Sequence, residues 1–301
     1  MGFFDSAQDM FDKGASAAKG AVSGVAVEQQ AFAKGFARLA EDAWALGWHE
    51  RNGGNLSYRL TVDEVAWCRS FFYDNPSSWA HPGVQVPKLG GEYLLVTASG
   101  SAFRNVAGDL SGNAGIIELD PTGSAWRIVW GFKNGGMPTS ELAAHLVAHE
   151  VRRETTGGAT RVVYHAHPTQ IVAMTQLVPA DSRLVTRALW KAFLESMVAF
   201  PQGIAVLPWA VPGGAGIAQA TGEALADCEA CVWALHGALS TGADFDAALG
   251  LMHTIEKAAG IYNQARAANG GSDDFPNVIP DDDLRAVAQT YGLSVRAEYL
   301  E

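Results

Sequence analysis

Apolar residues along the chain follow two spacings, one helical and one extended. Phe3, Phe4, Ala7, Met10, Phe11, Ala15 and Ala18 recur at helical spacing, with Asp5, Gln8, Asp9 and Asp12 between them. The segment then loosens into Gly14, Gly20, Ser23 and Gly24. Residues 1–30 read as an amphipathic helix on a small-residue tether, set apart from a domain over residues 31–301. Phe32, Phe36, Leu39, Ala40, Ala43 and Leu46 form one apolar stripe, which predicts a helix over 31–47. Leu56, Tyr58 and Leu60 alternate as a strand over 55–61. Residues 62–91, with Pro76, Pro82 and Pro87, read as a short helix and a long loop.

Further strands are predicted at 93–97, 114–119 and 126–130, the last two joined by the turn sequence Asp120-Pro121-Thr122-Gly123. Met137-Pro138-Thr139-Ser140-Glu141 is a helix start, with Thr139 or Ser140 as cap and Glu141 in the first turn. A buried strand follows at Arg161–Tyr164, then a helix after Pro168-Thr169. One helix is predicted over 182–196, a strand over 204–207 and a helix over 216–226. A strand over 231–237 ends in His236-Gly237, and helices over 245–265 and 281–291 close the chain.

Composition narrows the function classes. The 301 residues carry a net charge of −11, which argues against general nucleic-acid binding. No stretch has the apolar length of a membrane span. The chain does not open on a secretory signal pattern, and three cysteines, Cys68, Cys228 and Cys231, suggest a reducing compartment without a disulfide framework. A cytoplasmic location is expected.

The chemistry gathers at Tyr164-His165-Ala166-His167. Extended side chains alternate between faces, so His165 and His167 point the same way and can share one cation. His236, at a predicted strand end, is the candidate third ligand. Three imidazoles with a position left open make a catalytic arrangement, whereas a structural zinc site is closed by four protein ligands. Asn52-Gly53-Gly54-Asn55 and Ala98-Ser99-Gly100-Ser101 are small polar turns able to line an anion site. Glu195 is a carboxylate in a mostly apolar run, which calls for a partner or a function. His145 and His149 lie four apart on the helix after Glu141, but Leu146 and Ala148 miss both zinc-protease signatures, so this pair reads as structural. Taken together, these groups suit proton abstraction next to a metal-polarised carbonyl.

Six segments carry a family resemblance: Glu50–Leu56, Phe103–Val106, Pro138–Leu142, His165–His167, Leu207–Gly213 and Leu235–Gly237. In this order the chain resembles the class II, zinc-dependent rhamnulose-1-phosphate aldolases from about residue 35 to the C-terminus. The resemblance implies an α/β fold, a three-layer α/β/α sandwich with a mainly antiparallel central sheet, in a C4 homotetramer. It implies reversible cleavage of a phosphorylated ketose, L-rhamnulose 1-phosphate, to dihydroxyacetone phosphate and L-lactaldehyde through a metal-stabilised enediolate. On the same ground His165, His167 and His236 hold Zn²⁺, and Glu141 is the acid/base. Asn52, Asn55, Ser99, Gly100 and Ser140 hold the phosphate, and Glu195 sits near the aldehyde end. A fuculose-phosphate-type aldolase, a pentulose-phosphate epimerase and a non-catalytic scaffold share the fold and stand as alternatives. Residues 1–30 lie outside the match. They read as a helix that packs on its own domain or on a neighbouring subunit, or, by resemblance to the terminal helices that recruit enzymes to bacterial microcompartment shells, as a docking peptide that would place the protein inside such a compartment.

Overall fold

The computed structural model describes residues 26–300. The predicted N-terminal helix and its tether lie, up to residue 25, outside the described residues. Val27 is fully buried in the main core, so the packed domain takes in that position.

Among the described residues eight strands make one sheet: β1 (Asn55–Arg59), β2 (Tyr93–Thr97), β3 (Ala114–Leu119), β4 (Trp126–Gly131), β5 (Val162–Ala166), β6 (Ala205–Leu207), β7 (Ala230–Trp233) and β8 (Gly237–Gly242). Their order is β4-β3-β2-β1-β5-β8-β7-β6, and every neighbouring pair is antiparallel except β6 and β7. The main helices are α1 (Ala31–Ala45), α2 (Val62–Cys68), α3 (Leu142–Thr155), α4 (Thr169–Met174), α5 (Ser182–Ala192), α6 (Leu194–Ala199), α7 (Ala215–Leu225), α8 (Phe245–Ala268) and α9 (Asp281–Tyr291).

Strand alternation divides the core into two sides, as the three-layer reading expects. Leu56 and Tyr58 of β1 pack with Val162, Tyr164 and Ala166 of β5 under α1 and α8. The intervening Val163 faces the other way, with Leu239 and Cys231, against Ala144 and Ala148 of α3 and Ile217 and Ala218 of α7. The row Asn55, Ser57 and Arg59 therefore meets α3, and so does His165. Cys228 and Cys231 are buried thiols.

Three elements differ from expectation. The first is the helix start. Glu141 occupies the N-cap of α3, with no side-chain cap bond to the helix, and neither Thr139 nor Ser140 caps it. The preceding segment is held by the end of β2: Thr139 N donates to Thr97 O at 3.0 Å and Ser99 N to Met137 O at 2.8 Å. Extended pairing delays the helix, so Glu141 stands at its mouth rather than in its first turn.

Second, the helix expected over 182–196 breaks at Phe193, which is extended at φ −155° and turns its ring onto the core. Third, the strand expected over 231–237 stops at Trp233. Ala234–His236 form a turn with Leu235 at φ +63°, and β8 returns from Gly237. His236 is a hairpin-turn residue, and the strand after it was not anticipated.

Candidate metal centre and acid/base site

β5 ends, β8 begins and β1 begins at one end of the sheet. His165, His167 and His236 meet there. One ring nitrogen of each lies within 4.8 Å of the others, a triangle small enough to enclose a single ion. The turn before β8 brings His236 back over β5, with ring centroids 5.0 Å from His165 and 5.1 Å from His167. Trp233 backs the group, stacked on His236 at 5.3 Å. Glycine is needed where β8 begins: a Cβ on Gly237 would lie 2.4 Å from Ala166 O and 2.9 Å from ring carbons of both His165 and His167.

Two of the three outer ring nitrogens are tied down. His165 Nδ1 donates to Ala238 O at 2.9 Å, and His167 Nδ1 donates to Glu50 Oε1 at 2.6 Å. Such partners fix the tautomer and turn Nε2 toward a metal as a bare lone pair. His165 Nε2 is buried and has no hydrogen-bond partner among the described residues, which is the orphan a metal would satisfy. Burial and the two neighbouring imidazoles push His165 well below its ordinary pKa, and burial with His167 lowers His236 to about 4. Neutral imidazoles are the form that ligates. The donor set suits Zn²⁺.

Glu141 closes the fourth side. Its Oε2 lies 3.5 Å from His165 Nε2 and its Oε1 lies 3.9 Å from His236 Nε2. These are not ion pairs, because the imidazoles are neutral. Burial raises the Glu141 pKa, opposed by the Asn55 hydrogen bond and by His167. A carboxyl placed this way is suited to exchanging a proton beside a metal-bound substrate.

The proposed phosphate ligands split into two groups. Ser99, Gly100 and Ser140 are exposed and come together through the 97–99 to 137–139 pairing, at the same sheet end as exposed Asn52. Asn55 is buried instead. Its Nδ2 donates to Glu141 Oε2 at 2.8 Å and its Oδ1 bonds His145 Nε2. Glu195 is exposed in the first turn of α6, and among the described residues no hydrogen bond or ion pair joins it to Glu141 or the histidines.

Sequence reasoning missed several contributors. Glu50, named only as part of the segment Glu50–Leu56, orients His167. The turn itself packs on the ligands: a Cβ on Gly53 would lie 2.9 Å from His167 Cε1, and one on Gly54 (φ +74°) 2.3 Å from His49 Nδ1. His49 in turn bonds Tyr164 Oη at 2.8 Å and stacks on Phe103 at 3.7 Å. His145 and His149 ligate nothing in the triangle, but both bond Ser57 Oγ, at 2.6 and 2.8 Å.

A sequence model of the "Class II Aldolase and Adducin N-terminal domain" family matches residues 34–263. The chain is 38% identical over 265 residues to a protein of Mannheimia succiniciproducens named rhamnulose-1-phosphate aldolase, covering 87% of this chain and 95% of that one. It is 36% identical over 274 residues to the Escherichia coli protein of the same name, covering 91% and 98%. The fold is similar to that of a sugar-phosphate aldolase from Thermotoga maritima, with a TM-score of 0.64 and 27% identity over 77% of this chain and 93% of that one.

Proposed function

The chain belongs to the class II aldolase and adducin N-terminal domain family, and on that premise we propose that it is a zinc-dependent lyase that reversibly cleaves L-rhamnulose 1-phosphate to dihydroxyacetone phosphate and L-lactaldehyde. The observation that carries the reading is the convergence of His165, His167 and His236 with the Glu141 carboxyl set against them. A scaffold has no use for this arrangement, which costs the fold several buried polar groups.

Each residue has a share. His165, His167 and His236 would hold the ion through their inward nitrogens. The ion would supply Lewis acidity at the substrate's C2 carbonyl, making the adjacent C–H acidic and carrying negative charge as the C3–C4 bond breaks. In cleavage the C4 hydroxyl gives up its proton to solvent as the C3–C4 bond breaks and the aldehyde forms, and Glu141 gives a proton to C3; in synthesis Glu141 takes that proton back and the aldehyde oxygen gains one. Asn52, Ser99, Gly100 and Ser140 hold the phosphate at the open end of the sheet, where Gly100 at φ +75° leaves the backbone bare. Exclusion of water is aided by Trp233, packed beside two of the imidazoles.

A homotetramer is part of the proposal. Trp209 and Val211, at 61% and 70% exposure on the loop after β6, support it, since large apolar side chains gathered on one loop favour burial against another copy. Among the described residues no helix is long and apolar enough to cross a membrane.

The test is cleavage of L-rhamnulose 1-phosphate, L-fuculose 1-phosphate and a pentulose phosphate, each with and without chelator, with products identified. Chelator-sensitive release of L-lactaldehyde and dihydroxyacetone phosphate from the first, preferred by at least tenfold, is expected. Equal or better turnover of another substrate would overturn the substrate assignment.

A further inference from the structure

Behind Glu141 runs a column of polar side chains that the aldolase reading leaves unused. Asn55 and Ser57 are alternate residues of β1, and Glu141, His145 and His149 are four apart at and along α3. The two rows face each other in step. Two strand residues advance about 6.7 Å and four helix residues about 6.0 Å, so contact holds over the whole length. Asn55 bridges Glu141 and His145, and Ser57 bridges His145 and His149. His145, His149 and Ser57 are fully buried.

We propose that Asn55, His145, Ser57 and His149 form a one-way positioning column. Every donor in it points toward Glu141, so an Asn55 N–H is fixed on Oε2 and Oε1 alone is free to take and return the substrate's proton. The proposal rests on the reading of Glu141 as the acid/base.

The direction follows from counting donors. Both imidazoles are neutral, because burial pushes His145 down to about 3 and His149 well below its ordinary value. A neutral imidazole has one N–H and one bare nitrogen. Asn55 Nδ2 lies 2.8 Å from Glu141 Oε2 and donates to it, which turns the carbonyl oxygen of Asn55 to His145. His145 then donates from Nε2 and is bare at Nδ1, where it accepts the single Ser57 hydroxyl proton. Ser57 Oγ, having spent that proton, accepts from His149 Nε2–H. The column ends on a bare His149 Nδ1, which is buried and has no hydrogen-bond partner among the described residues.

The reverse direction is disfavoured at both ends. It would leave a buried N–H at His149 Nδ1 with no acceptor, a rarer and costlier defect than an idle lone pair. At the other end, reversal would turn the Asn55 oxygen onto the carboxyl and require a proton on Oε2. Polarity set at the His149 end is thereby handed through four side chains to the orientation of one amide. In this account Asn55 is a positioning residue for Glu141, and its phosphate role reduces to one remaining N–H.

The test has two arms. Solid-state ¹⁵N NMR of the zinc-loaded, ¹⁵N-histidine-labelled protein reads the tautomers directly, whatever substrate the enzyme takes. Both His145 and His149 should carry the proton on Nε2, and a proton on Nδ1 of either would overturn the column. In the second arm, Ser57→Ala should lower kcat about 10- to 100-fold with KM and bound metal unchanged, as loss of a supporting hydrogen bond typically does, and Ser57→Thr should restore most of it. Full kcat in Ser57→Ala overturns the proposal. If that variant does not fold, the wild-type tautomers decide alone. Failure of the aldolase assay with the expected tautomers would fault the reading of Glu141, not the column.

Discussion

His167 donates to Glu50 at 2.6 Å across 117 residues of sequence, so a residue just before the glycine turn sets the angle of a candidate metal ligand at the end of β5. Removing the acceptor frees the ring to rotate and to change tautomer. Glu50→Ala should therefore weaken zinc binding about 10- to 100-fold, measured by competition with a chromophoric chelator. Unchanged affinity would show that the turn alone fixes the ring.

Glu141→Gln keeps the shape and the Asn55 contact but cannot exchange a proton. Turnover should fall by about 10²- to 10⁴-fold, the usual worth of a placed acid/base, with bound zinc and the unfolding midpoint retained. Near-normal turnover in the metal-loaded variant would refute the acid/base role.

Gly237→Ala places a methyl group among Ala166 O, His165 and His167. The backbone oxygen cannot yield, so the β8 start must shift and carry His236 with it. A stability loss of about 1–3 kcal/mol is expected for overpacking of this kind, together with loss of zinc in metal analysis. A variant with full metal content and unchanged stability would contradict the close approach.

Much of this site was legible in the chain because its chemistry is local. Two histidines flanking one alanine on a strand need no tertiary knowledge to be paired. His236 was singled out as a candidate ligand and does join the other two histidines, but it was misplaced as a strand end, because Gly237-Ala238-Leu239-Ser240-Thr241-Gly242 is bracketed by glycines and has too little apolar bulk to read as β8. The roles of Glu50, Ser57, His145 and His149 were not visible. Each depends on which row of a strand faces which row of a helix, and periodicity gives the rows without saying which pair meets. The helix break at Phe193 was hidden for a related reason: its apolar spacing continues across the break, and only the tertiary position of the ring selects the extended backbone.

Acid should destabilise the metal-free fold through histidines that ligate nothing. Burial holds His49 down at about 4, against the raising effect of its bond to Gly53, and burial alone lowers His145 to about 3. Unfolded, each would titrate near 6.5. The unfolded chain thus binds more protons below that pH, and stability contributed by the neutral rings is lost as pH falls from 6.5 toward the folded values. At pH 5 the loss is about 2 kcal/mol for each ring. Urea unfolding of chelated protein at pH 7 and pH 5 checks this, and equal stabilities would mean the two rings are solvated or paired when protonated.

Metal removal should separate chemistry from folding. In small zinc domains the ion supplies the folding free energy, and chelation unfolds them. Here the apolar core extends through both sides of an eight-stranded sheet, while the three imidazoles sit at one end of it. A protein built this way keeps its fold without the ion and loses only the linkage term, about 4 kcal/mol when free zinc stands at a thousand times its dissociation constant. Chelator should abolish cleavage, lower the unfolding midpoint modestly and leave the far-UV circular dichroism intact, with zinc restoring activity. His165 Nε2, bare and buried once the ion leaves, makes re-entry favourable and the loss reversible. Global unfolding on chelation would make the centre structural, and full cleavage by protein shown to be metal-free would remove the Lewis acid from the reaction altogether.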